Sequence, residues 1–199
     1  MSQPVESEVR AALEPFNARI RNVLDKAFKS YLSKRGTGNL YRRTDSADVF
    51  DSVIQAAIAE FTGDPGVEVF PKGATARFLF GGKVLARFKK ASRRGRGQNI
   101  PTATNDDFLN PSIPFEDAPQ AMKVEICWKV NEFGTAYTNV YVTARNGTHV
   151  MWTYEMPGGA QAIIEFPTKP TIAPPRRKSV AKLKDSAKVK KKNSGGEAL

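Results

Sequence analysis

Residues 75–90 read Thr-Ala-Arg-Phe-Leu-Phe-Gly-Gly-Lys-Val-Leu-Ala-Arg-Phe-Lys-Lys. Side chains alternate up to Phe80, with Thr75, Arg77 and Leu79 on one face and Ala76, Phe78 and Phe80 on the other. Gly81-Gly82 is a hairpin turn signal, and alternation resumes from Lys83 to Lys90. A tight turn between two such strands forces them antiparallel. Phe78, Phe80 and Phe88 are core candidates by this alternation. The stretch therefore predicts an antiparallel sheet.

Further strands are expected on both sides. Val67–Phe70 is a short candidate upstream. Downstream, a polar, Pro-rich segment (Pro101, Pro111, Pro114, Pro119) precedes Met122–Val130, which reads as a central strand. Tyr137–Ala144 and Thr148–Met156 flank Asn146-Gly147, the strongest short-range hairpin signal in the chain. Ala162–Phe166 is a candidate edge strand. Trp128 and Trp152 are expected on adjoining strands, pinning the sheet against helices.

The N-terminal third is helical in pattern. Val9, Leu13, Phe16, Ile20, Val23, Leu24, Ala27, Phe28 and Tyr31 recur at steps of three and four, leaving Arg19, Arg21, Asp25, Lys26 and Lys29 on a solvated face. Pro15 either kinks this helix or sits in the first turn of one that begins near Glu14. Gly36–Asn39 breaks the pattern. A second helix is expected with Asp45 as N-cap, an apolar face of Val49, Phe50, Val53, Ile54, Ala57, Ile58 and Phe61, and a stop at Gly63. Helices followed by strands predict an α+β domain over residues 1–166, with two N-terminal helices packed on an antiparallel meander.

Charge marks off the rest. Residues 167–199 carry ten Lys or Arg against two acids, a net +8 out of the +11 of the whole chain. The segment holds no aromatic residue and four prolines (Pro167, Pro170, Pro174, Pro175), so it is expected to be a disordered cationic tail. Arg176, Arg177, Lys178, Lys182, Lys184, Lys188, Lys190, Lys191 and Lys192 in it are candidate phosphate contacts. A second basic stretch lies within the domain: Lys83, Arg87, Lys89, Lys90, Arg93, Arg94 and Arg96, with no acid among them. Ser92–Gln98 reads as a flexible loop whose guanidiniums suit phosphate oxygens. Set against phosphate binding, the Arg stems pack on neighbours and the guanidiniums pair with Asp106 or Asp107.

Other chemistries lack the residues. His149 is the only histidine and has no nucleophile at a telling spacing. Cys127 is the only cysteine, which excludes an internal disulfide. Asp106, Asp107, Glu116 and Asp117 fit no calcium-loop spacing, and Gly81-Gly82-Lys83 is followed by no helix that would make it a phosphate loop. Glu125 and Lys129 have the wrong separation for a nuclease strand. No catalytic residue, metal ligand, cofactor or small-molecule substrate is indicated. No apolar run approaches the roughly 18 residues that span a bilayer, and the first residues lack a signal-peptide pattern. The expected setting is the cytoplasm, or the nucleoid if the ligand is DNA.

Leu85–Lys90, then Asn99-Ile100-Pro101-Thr102, then a meander ending in Val150-Met151-Trp152, resemble a group of bacterial proteins encoded beside ImmA/IrrE-type zinc metallopeptidases in mobile-element and defence loci. The resemblance covers about residues 70–156. It implies a bacterial origin and a protein partner, and it transfers no catalytic residue. The expected function is therefore noncatalytic binding of nucleic acid, DNA or RNA, through the tail and the basic loop. The alternative is a protein-partner component of a toxin–antitoxin or phage-defence module.

Overall fold

A computed structural model describes residues 3–35, 42–92, 94–98 and 102–158. The chain divides into two units, Met1–Ile164 and Glu165–Leu199. The expected edge strand at Ala162–Phe166, the glycine break at Gly36–Asn39 and the whole cationic tail lie outside the described residues.

The long N-terminal pattern forms two helices. Helix α1 (Glu6–Leu13) ends at a 3-10 turn, Glu14–Phe16, and α2 (Asn17–Lys34) follows. Pro15 sits in that turn, where its missing N–H and fixed φ are tolerated. Val9, Leu13, Ile20, Val23, Leu24, Ala27 and Phe28 are all buried. Helix α3 (Arg42–Phe61) begins ahead of Asp45, which lies in its first turn rather than at its cap. There Asp45 Oδ1 accepts the Tyr31 hydroxyl at 2.8 Å, joining α2 to α3. Gly63, at φ +82°, turns the chain out of the helix.

Six strands follow in sequential order across one sheet: β1 (Val67–Lys72), β2 (Thr75–Phe80), β3 (Val84–Lys90), β4 (Met122–Val130), β5 (Tyr137–Asn146) and β6 (His149–Glu155). Alternation gives the sheet two unlike faces. Phe78, Phe80, Ala86, Phe88, Ile126, Trp128, Val140 and Val142 meet the helices in the main core. Phe61 wedges between Phe78 and Phe80, 5.9 and 5.3 Å between ring centres, both edge-on.

The pure meander does not hold. β3 and β4 run parallel, Val84 opposite Met122 through Lys90 opposite Trp128. A parallel neighbour needs a crossover, and residues 91–121 supply it, with a short helix α4 (Ala103–Leu109) capped by the Thr102 hydroxyl. The crossover covers the outer face, where Leu79 and Leu85 pack with Phe108 and Leu109 in a second, smaller core. A segment read as a polar loop is thus a second layer. Because both faces are covered, every residue from Met122 to Trp128 is buried.

Three local readings also shift. The β5–β6 turn is Gly147-Thr148, one position later than expected, since Asn146 pairs directly with His149. The two tryptophans are separated by β5. Trp128 stacks on Phe50 of α3 at 6.3 Å, while the Trp152 indole donates to the Pro4 carbonyl at 2.7 Å. Finally, Arg19 and Arg21 are not idle surface. Arg21 is buried and donates to the carbonyls of Met156 and Pro157. Arg19 clamps Glu60 and Asp64 at the end of α3. Among the described residues no helix is long and apolar enough to cross a membrane.

Candidate nucleic-acid interface

The seven cations of the basic stretch go to different places. Lys83 is exposed in the Gly81–Lys83 turn, whose glycines have φ of +56° and +65°. Lys89 and Lys90 stand at the other end of β3; at about 3.3 Å per residue this is roughly 20 Å away. Both are half-buried. Lys90 Nζ donates to Ser46 Oγ at 2.9 Å, and Lys89 Nζ lies 5.5 Å from the Phe50 ring centre. Burial, then the nearby Arg87, lowers the Lys89 pKa.

Arg87 is enclosed. The crossover covers its face, so its guanidinium meets Glu125 on the parallel neighbour β4, with Nη2 2.8 Å from Oε1, and Asn105 of α4 at 2.7 Å. It also lies over the Phe108 ring at 4.2 Å. Glu125 is itself 1% exposed, and Arg145 of β5 reaches its other oxygen at 3.4 Å. Two guanidiniums offset the desolvation of one carboxylate. Arg87 is therefore an interior strut rather than a phosphate contact.

Besides the exposed Lys83, the described cations of this stretch that the fold presents are Arg94 and Arg96. The described part of their loop is a hydrogen-bonded turn: Ser92 N donates to Arg96 O at 2.7 Å and Gln98 N to Lys90 O at 2.8 Å. Gly95 (φ +78°) lies against Tyr141, and its carbonyl accepts the Thr143 hydroxyl at 3.4 Å. Gly97 rests on Glu125 so closely that a Cβ there would fall 2.7 Å from Oε2. The buried carboxylate thus seats the turn, leaving Arg94 exposed and Arg96 half-buried. Arg93 lies outside the described residues, as do Arg176, Arg177, Lys178, Lys182, Lys184, Lys188, Lys190, Lys191 and Lys192.

One exposed aromatic carries no alternation signal. Phe133 is 78% exposed in the β4–β5 turn. The Asn131 side chain fixes that turn, accepting from Thr135 N at 2.8 Å and donating to Thr135 Oγ1 at 2.9 Å. The β4–β5 turn leaves the sheet at the end where β3 also finishes, whereas the Arg94–Gly97 turn folds back over the outer face, with Gly95 against Tyr141 and Gly97 on Glu125. Phe133 and Lys90 also line one cleft of about 200 Å³, together with Asp45 and Ser46. The signal was a Phe in Asn-Glu-Phe-Gly-Thr, a turn sequence rather than an alternating one. By contrast Phe78, Phe80 and Phe88 are fully buried and offer no base a surface.

Comparison with protein-family models, with curated proteins and with solved structures finds no match.

The remaining chemistry-bearing groups stand apart. Cys127 is fully buried, and burial pushes its thiol well up, away from reactivity. His149 is exposed at the start of β6. Among the described residues no three His, Cys, Asp or Glu side chains converge as a metal site.

Proposed function

We propose that the protein is a noncatalytic nucleic-acid-binding accessory that engages phosphates largely without sequence preference. The observation that carries this is the segregation of charge. The last 33 residues hold +8, while the preceding 166 hold 21 basic and 18 acidic side chains. A nearly neutral body joined to a cationic arm suits a polyanion, because each neutralised phosphate releases counterions. Burial of Arg87 and tethering of Lys90 leave Lys83, Arg94 and Arg96 as the described cations of the basic stretch open to a phosphate, and the exposed Phe133 offers an aromatic surface for an unstacked base.

The test is a salt series on duplex and single-stranded DNA with the full chain and a chain ending at Phe166. The slope of log affinity against log salt is expected to flatten by roughly 0.9 on the duplex, and roughly 0.7 on the single strand, for every phosphate that the shortened chain leaves unneutralised. Identical slopes for the two chains would remove the arm from the interface. A single stoichiometric polypeptide retained after nuclease treatment would favour the protein-partner role instead.

A further inference from the structure

A cleft of about 520 Å³ opens on the outer face between the β1–β2 hairpin and the crossover. This size suits a small organic ligand. Three cations are ranged about the Phe108 ring there: Arg87 at 4.2 Å, Arg77 at 5.5 Å and Lys123 at 5.9 Å. Two of them are already committed. Arg87 is bound to Glu125 and Asn105. Lys123 Nζ donates to the carbonyls of Asp107, Asn110 and Ile113, which fixes the crossover wall. Arg77 alone keeps its donors: among the described residues its guanidinium has no hydrogen bond and no ion pair.

That guanidinium is nevertheless held in place. It lies 5.0 Å from the Phe115 ring centre as well as near Phe108, and Phe115 is braced edge-on by Phe70 at 5.1 Å. Burial lowers its pKa, although it stays a cation. A planar fork stacked on two rings, with its five N–H groups uncommitted, matches a carboxylate bidentately. Asp107, Glu116 and Asp117 line the same cleft, with Lys72 and Lys123 partly offsetting them, and the Asp107 charge acts on Arg77 itself. The three carboxylates disfavour a dianion such as a phosphate monoester more than a single negative charge seated on Arg77. Phe70 and Phe115, with Pro71 and Pro114, offer the rest of the ligand an apolar wall.

We propose that Arg77 anchors the carboxylate of a small monocarboxylic acid whose apolar body packs against Phe70 and Phe115. This site is independent of the nucleic-acid interface. Nothing in the sequence announces it, because Phe115 and Phe108 come from a segment without strand or helix periodicity of useful length.

The experiment is a titration of the full, 15N-labelled chain with phenylacetate, phenyl phosphate and 2-phenylethanol at constant ionic strength, following the Arg77 Nε–Hε resonance. Phenylacetate is expected to shift it saturably, with a Kd on the order of 1 mM for so small a probe. Phenyl phosphate should bind about tenfold more weakly, and the alcohol should leave the resonance unmoved. Arg77→Lys keeps the charge but loses the fork, and should weaken phenylacetate about tenfold, read in both chains from the backbone amide shifts of Phe70 and Phe115, while leaving the amide spectrum dispersed. A non-saturating response, equal binding of the phosphate or the alcohol, or an Arg77→Lys chain that binds like its parent would each overturn the assignment. In the first case the guanidinium is stacked for packing alone.

Discussion

Glu125 accepts from Arg87 at 2.8 Å while Arg145 approaches its second oxygen at 3.4 Å, all beneath the Arg94–Gly97 turn. Removing the charge leaves two buried guanidiniums short of a partner. Glu125→Gln is expected to lower the unfolding free energy by about 3–5 kcal/mol, measured by urea denaturation. Replacing Glu125, Arg87 and Arg145 together by apolar residues should cost less than that single change, because no buried charge is left unpaired. Phe133 stands at the opposite extreme of burial. Phe133→Ala should leave stability within about 0.5 kcal/mol. It should weaken binding of a labelled oligothymidine by about 1–3 kcal/mol, read by fluorescence anisotropy. Unchanged anisotropy curves would take Phe133 out of the interface. Neither residue's role was legible in advance. Strand alternation puts Arg87 on the outer face of β3 but is silent on whether another layer will cover that face.

Among the elements, the α2–α3 pair shows how charge at a helix surface holds a fold. Glu60 lies between Lys26, 2.8 Å away, and Arg19, 3.1 Å away. These hydrogen bonds, Lys26 first and Arg19 second, hold the Glu60 carboxyl below its ordinary range. Arg19 and the Gly66 N–H do the same for Asp64. A carboxylate whose pKa falls on folding contributes stability that is present above its unfolded pKa and lost as pH drops through the lower folded value. The urea midpoint should therefore fall as the medium is acidified below about pH 4.3, the unfolded value for Glu. Glu60→Gln should flatten that acid limb, at a neutral-pH cost of at most about 1 kcal/mol, since both partners face solvent. An unchanged acid limb in the variant would show that the pair carries no linked stability. The elements themselves were largely legible: the break at Pro15, the stop at Gly63 and the Gly81-Gly82 hairpin all follow from chemistry within a few residues. The parallel seating of β4 was not. Alternation gives a strand its two faces and leaves its neighbour open.

At the scale of the whole molecule, three tyrosines report on the integrity of the main core from different elements. Tyr31 of α2, Tyr137 of β5 and Tyr154 of β6 are each pushed up to about 12, chiefly by burial. Unfolded tyrosine titrates near 10. Between those values the unfolded chain loses phenolic protons that the folded chain retains, so stability is intact below about pH 10 and declines as pH rises towards 12. Alkaline spectrophotometric titration should show phenolate appearing together with the loss of helical circular dichroism. Phenolate formed near pH 10 by all five tyrosines in a still-helical protein would contradict this. Charge is the other whole-molecule property, and it was visible from composition alone. The excess of residues 167–199 needs no fold to exist, and the field of exposed charges reaches about 8 Å at physiological salt.

The helical and strand periods, the turns and the cationic composition of residues 167–199 follow from the order of amino acids alone, because each depends on neighbours a few positions away or on a simple sum of charges. The tertiary structure decided which cations are spent and which are presented. The crossover between β3 and β4 lays a second layer over the sheet, converting Arg87 and Lys123 into interior ties, while among the described residues Lys83 and Arg94 stay exposed and Arg77 and Arg96 half-buried. That outcome rests on contacts between segments far apart in the chain, whose burial in low dielectric fixes what a charge can do.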